Sequence, residues 1–209
     1  MTSFAPDVVA MFAGTLPLGP LAEKGVTGEA YSRAQAETPA EFKSRLEAEG
    51  KRVGWMDLMH YLPATDLVQV GRSYEPGTTP KEGLTRRLRG DVDAAAFQAF
   101  QETASAEDRD EADVELRHWA ATGHFVGDRL VAVASAYPWR GTQIADIGVL
   151  VLPEFRGRGL AVRVVQRLAA HCLAQGYAPQ YRCAPEHLAS AGTARAAGLV
   201  NYGTWAVLR

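Results

Sequence analysis

Ile144-Ala-Asp-Ile-Gly-Val-Leu-Val-Leu-Pro-Glu-Phe-Arg-Gly-Arg-Gly-Leu-Ala161 decides how this chain is read. A β-branched, glycine-containing run ends at Pro153, a loop with two glycines and two arginines follows, and an apolar-periodic segment starts at Leu160. That order predicts strand, loop and helix. Gly157 and Gly159 permit dihedrals that a Cβ resists, so successive backbone N–H groups can converge on an anion. The first turn of the helix adds unsatisfied donors and the positive end of its dipole. Arg156 and Arg158 can supply charge-assisted hydrogen bonds to the same oxygens, so the loop suits a pyrophosphate.

The kind of phosphate loop follows from what is missing. No Gly-Lys-Ser or Gly-Lys-Thr closes it, which excludes a Walker loop. Val162 stands where a dinucleotide fingerprint needs its third glycine, and no acidic residue follows about 20 positions later. What remains is Arg156-x-x-Gly159-x-Ala161. This resembles the Arg/Gln-x-x-Gly-x-Gly/Ala signature with which the GNAT superfamily of N-acetyltransferases holds the pyrophosphate of acetyl-coenzyme A.

Composition bounds the alternatives. With 47% hydrophobic and 22% charged residues in 209, the chain is an ordinary soluble globule. A formal net charge of -2 gives no basic face for nucleic acid. Pro6, Asp7, Gly14, Pro17 and Pro20 interrupt the first apolar stretch, so neither a signal peptide nor a membrane span is expected. Cys172 and Cys183 read as free thiols in a reducing cytoplasm, with no base beside Cys183 in sequence to activate it. His60, His118 and His171 show no metal-ligand spacing, and no metal is expected.

Along the chain, Thr38-Pro-Ala-Glu41 predicts a capping box with proline at the first helical position; Phe42 and Leu46 form an apolar i, i+4 pair, and Gly50 ends the helix. Val53 to Leu62 predicts a strand, and Tyr74 to Gly83, which contains Pro76-Gly-Thr-Thr-Pro80, a linker. Leu84 to Arg89 predicts a strand, and Asp91 to Thr103 a helix with Val92, Ala95, Phe97 and Phe100 inward. Ser105 to Leu116 is an acidic helical stretch. Ala121 to Val126 and Arg129 to Tyr137 form a hairpin about Gly127-Asp128. The near-continuous apolar run Ile144 to Val151 predicts a strand buried on both faces. Leu160 to Gln175 follows as a helix with Ala161, Val164, Val165, Leu168 and Cys172 on one stripe and Arg163, Arg167 and His171 towards water. A strand at Gln180 to Cys183, a helix at His187 to Ala197 and a strand or hairpin at Leu199 to Leu208 complete the pattern.

From Leu84 the order βααβββαβαβ is similar to the GNAT fold, and Ala189-Ser190 with Ala196-Ala-Gly-Leu199 resembles two further landmarks of that family. The fold expected is α/β (α+β), a mixed, mostly antiparallel sheet flanked by helices over residues 84–209, preceded by a smaller N-terminal α/β segment at 1–83. The resemblance implies an acyltransferase that moves an acetyl group from acetyl-coenzyme A to a small-molecule or peptide amine by direct attack in a ternary complex. It implies cofactor contacts at Val149, Val151, Arg156, Gly157, Arg158, Gly159, Leu160, Ala161 and Ser190, with the Val149 N–H polarising the thioester carbonyl; a serine near a helix start also serves as a cap.

Proton transfer is less legible. Ala145 stands in the register where relatives carry a glutamate, with Asp146 beside it; a bulge would turn Asp146 inward, and a regular strand turns it to the opposite face. Ala194 stands where relatives carry a tyrosine acid, which leaves Tyr202, His124 and Tyr181 as proton carriers. The candidates for catalysis are therefore Asp146, Tyr202 and His124. Tyr137, Trp139, Tyr181 and Trp205 fall at strand ends, where an acceptor pocket would be walled, and the acidic run Glu107 to Glu115 suits a cationic amine or is simply solvated. The alternative reading is an acyl-coenzyme A binding or sensing module that kept the loop and lost the chemistry. A homodimer is left open.

Overall fold

The computed structural model describes residues 8–12, 38–62, 83–139 and 142–209; the linker expected at Tyr74 to Gly83 lies outside them except for Gly83. In chain order the elements are β1 Val8–Phe12, α1 Pro39–Ala48, β2 Val53–Tyr61, β3 Leu84–Arg87, α2 Ala94–Thr103, α3 Ala106–Ala112, β4 Ala120–Val126, β5 Arg129–Pro138, β6 Ile144–Val151, α4 Leu160–Ala174, β7 Ala178–Cys183, α5 Leu188–Ala196 and β8 Val200–Leu208.

Local chemistry explains most boundaries. Thr38 accepts from the Glu41 N–H while Glu41 reaches back to the Thr38 N–H, which starts α1 at its proline. Phe42 and Leu46 of α1 are fully buried against Ala206. Gly127 turns β4 into β5 at φ 59°. α2 starts at Ala94, later than expected, so Val92 lies before the helix and is exposed, as is Ala95; Phe100 takes the core position with Phe97 beside it. Each buried side chain of Phe100 size contributes about 1.5–3 kcal/mol, enough to fix which side of α2 turns inward.

One sheet joins all eight described strands in the order β1-β8-β2-β7-β6-β5-β4-β3. Only β6 and β7 run parallel; every other neighbouring pair is antiparallel. β1 and β2 come from the first 83 residues, and β2 lies between β7 and β8 near the middle of the sheet. The C-terminal stretch is a single strand rather than a hairpin about Gly203, with a bulge that skips Tyr202 in the pairing with β2.

Two cores sandwich the sheet. One face holds Ala145, Ile147 and Val151 against Val164, Val165, Leu168 and Cys172 of α4 and Ala194 of α5. Leu150, Val133 and Ala121 on the other face meet Phe100 of α2 and Val114 after α3. Arg163, Arg167 and His171 are half-buried rather than fully solvated, and His171 lies within hydrogen-bond distance of Arg87.

Candidate active site

β6 and β7 pair only from Ile144/Ala178 to Ile147/Tyr181 and then part. Leu152 N–H bonds the Val131 carbonyl on the β5 side. Strand alternation then turns the N–H and C=O of Val149 and Val151 to the other side, where β7 has diverged. There the Val151 carbonyl accepts from Arg156 Nε at 3.1 Å.

The parting of the strands opens a cleft of about 780 Å³. Val149, Val151, Tyr181 and Cys183 line it from the face covered by α4 and α5; Leu150, Asp57 and Arg182 line it from the face covered by α2 and α3. Both faces contribute, so the cleft runs through the sheet. At one end stand Arg156, Gly157, Gly159, Leu160 and Ala161. Gly157 and Gly159 have φ of 75° and 72°, the left-handed region glycine favours, and open space where a Cβ would project. Gly159 precedes α4 without a side-chain cap, so the first N–H groups of that helix have no capping side chain.

Eight of the nine expected cofactor residues thus line one cleft, Ser190 among them. Arg158 is the exception: its guanidinium donates to the Glu154 carbonyl at 2.9 Å and lies over the Phe155 ring. Arg156 is already engaged across the cleft mouth, donating to Asp108 of α3 at 2.6 Å.

None of the three expected catalytic residues lines the cleft. β6 has no bulge against β5, and Asp146 sits opposite Tyr137 on the α2 and α3 face. It is 4% exposed and accepts from Gln180 at 3.1 Å, Tyr137 at 3.3 Å and Arg182 at 2.9 and 2.5 Å. Its lone pairs are taken up by these donors, and the carboxylate anchors Arg182. His124 is fully buried on β4 against Thr85 Oγ1 at 2.7 Å. Tyr202, displaced by the bulge, packs edge-on to Tyr61.

The structure instead brings Tyr181 and Ser190 together in the cleft, their hydroxyls 2.8 Å apart. Burial pushes the Tyr181 phenol up to about 12 despite the Ser190 hydrogen bond. Cys183, also lining the cleft, is pushed up to about 11 by burial, so its thiol stays protonated at neutral pH. On the opposite face Arg182 links two carboxylates, donating to Asp57 at 3.0 Å as well as to Asp146. Burial works against its charge, but Asp146 and then Asp57 more than offset this and raise its pKa. Arg182 lies 5.1 Å from the Trp205 ring and 5.6 Å from that of Trp139. The expected aromatic wall is therefore split: Trp139 and Trp205 flank Arg182, Tyr137 donates to Asp146, and Tyr181 faces α5.

Asp57 carried no sequence signal of function, because its partner Arg182 lies 125 positions away. Asp113, Glu115 and His118 place ligand-type atoms within 4.8 Å of one another, a cluster the sequence spacing did not suggest. Glu115 pairs there with Arg117, and His118 lies 2.8 Å from Ser135 Oγ. No helix among the described residues is long and apolar enough to cross a membrane.

Comparison with known proteins gives this geometry its context. The model of the acetyltransferase (GNAT) family matches residues 91–198. A GNAT-family protein from Novosphingobium aromaticivorans superposes with a TM-score of 0.53 at 21% identity, over 76% of this chain and 67% of its own. A GNAT-family acetyltransferase from Colwellia psychrerythraea gives 0.52 at 15%, over 82% and 63%. A GCN5-related N-acetyltransferase from Kribbella flavida gives 0.54 at 15%, over 87% and 65%. The chain thus spans about two thirds of the length of these structures. At these identities the likeness is one of fold. No curated protein matches the sequence.

Proposed function

The chain belongs to the acetyltransferase (GNAT) family, and on that premise we propose that it transfers an acetyl group from acetyl-coenzyme A to a small-molecule or peptide amine by direct attack while both are bound. The observation that carries this reading is the cleft through the sheet, with the glycine loop at one end and Asp57 and Arg182 on the face away from α4. A thioester and an amine entering from opposite faces would meet where β6 and β7 part.

In this reading the N–H groups of Gly157 to Ala161 and the Arg156 guanidinium hold the pyrophosphate, and Val149 and Val151 lend backbone groups to the pantetheine arm. Ser190 borders the same channel. Arg158 supports the loop through Glu154 instead of touching phosphate. The Val149 N–H stabilises the oxyanion as the tetrahedral centre forms. Tyr181, protonated throughout the neutral range, donates to the departing sulfur and is held for that by Ser190. Residues before Gly83 complete the acceptor side through β2, and the two free cysteines fit a cytoplasmic setting.

Release of free coenzyme A from the full-length protein against an amine panel, with mass spectrometry of the acetylated product, tests the reading. Tight binding of acetyl-coenzyme A with no release against any amine would favour the binding or sensing module.

A further inference from the structure

The carboxylates along the cleft, among the described residues, are Asp57, Asp108 and Glu111. Two of them are turned to other tasks at the rim. Asp108 holds Arg156 beside the phosphate loop, and Glu111, its side chain 54% exposed, faces His187 at 3.8 Å. Asp57 differs. It stands on β2, its side chain is 17% exposed, and one carboxylate oxygen accepts from Arg182 at 3.0 Å. The other oxygen has no protein donor among the described residues.

Resting on the acetyl-transfer reading above, we propose that Asp57 is the proton acceptor of this enzyme and that its acceptor substrate is a primary alkylammonium. The N-terminal segment then supplies the base that β6 does not, since Ala145 is buried in the α4 core and Asp146 is saturated.

The step balances without a further reactant. An N–H bond of the ammonium breaks and its proton goes to the second oxygen of Asp57, leaving the neutral amine. The amine lone pair attacks the thioester carbonyl carbon; the C–N bond forms and the C–S bond breaks. Tyr181 gives its hydroxyl proton to the departing sulfur and takes up the second nitrogen-borne proton, giving the amide and the coenzyme A thiol, and Asp57 returns its proton to solvent.

The surroundings suit that task. Burial raises the Asp57 pKa more than the attraction of Arg182 lowers it, and Asp146 and Glu186 add repulsion. A carboxylate so raised is a better base near neutral pH than an exposed one. The groups facing it are Arg182 from β7, Asp146 from β6, Glu186 beyond β7 and, across the β8 pairing, the uncharged Trp205. Arg182 is clamped between the indoles and Asp146, which fixes the Asp57 carboxylate in place. An arylamine, neutral at pH 7, needs no such base.

The test uses the full-length protein with two probes, 1,4-diaminobutane and aniline. Asp57→Asn is expected to lower kcat with the diamine about 100-fold, as loss of a general base does, to leave coenzyme A affinity by calorimetry unchanged, and to affect the aniline reaction far less. The wild-type rate falls as pH drops through the raised Asp57 pKa; Asp57→Asn removes that acid limb, and Asp57→Glu restores it at reduced rate. A second arm needs no turnover: diamine binding to coenzyme A-saturated protein should vanish in Asp57→Asn. Binding that depends on Asp57 without any turnover would retain the ammonium site and overturn acetyl transfer. Wild-type turnover and an intact acid limb in Asp57→Asn, or no diamine binding by the wild type, would overturn the proposal.

Discussion

A Cβ added to Gly148 would lie 2.1 Å from the carbonyl oxygen of Ala112. The last residue of α3 therefore rests directly on β6, one position before the cleft-lining Val149. The glycine is required by this close approach, since its own backbone is that of an ordinary strand. Asp113, which follows, turns the chain away at φ 46°, a left-handed conformation that a non-glycine residue adopts at some cost.

Gly148→Ala must lift α3 from the sheet or bend β6. Overpacking of this kind costs about 1–3 kcal/mol, so a lower melting temperature is expected together with reduced acceptor turnover. An unchanged melt would mean that α3 does not press on β6.

Gly159→Val forces a β-branched residue to φ 72° at the start of α4. Such strain costs about 1–3 kcal/mol, and relief of it pulls the loop N–H groups out of line, so coenzyme A affinity should drop about tenfold or more. Calorimetry giving the wild-type affinity would remove the loop from the cofactor site.

Asp108→Asn releases Arg156, which Asp108 now holds across the cleft mouth at 2.6 Å. A pyrophosphate must compete with that pair. Exposed ion pairs contribute about 0.2–1 kcal/mol, so the variant should bind coenzyme A up to about fivefold more tightly, with the gap narrowing as salt rises. Weaker binding by the variant would mean that Asp108 assists the site instead of guarding it.

Tyr181→Phe should lower kcat and leave coenzyme A affinity alone. Because the phenol is pushed up to about 12, Tyr181 cannot produce an alkaline limb in the rate profile below that pH. A limb near pH 8 or 9 that disappears in the variant would contradict this environment.

Asp146→Asn is expected to show itself in stability first. The carboxylate is 4% exposed and accepts two hydrogen bonds from Arg182, and breaking a buried pair from one side costs about 3–5 kcal/mol. A variant that melts like the wild type yet has lost turnover would return Asp146 to the role of base. Deleting the residues before Gly83 takes β2 out of the sheet between β7 and β8, so a lower melting temperature is expected along with lost turnover.

What the sequence determined was local. The Thr38/Glu41 capping box, the Gly127-Asp128 turn, the apolar stripe of α4 and the glycine loop each depend on residues within a few positions of one another, and each formed as its chemistry required. What only the tertiary structure decided was pairing at long range. Nothing in the run Val53 to Tyr61 says that this strand enters between β7 and β8, since burial on a sheet can be met by any neighbour of suitable register. That insertion sets Asp57 beside Arg182. It also explains why Asp146, so close in sequence to the loop, serves as an anchor on the other face: regular alternation along β6 aims it there, and Arg182, 36 positions away, claims its lone pairs.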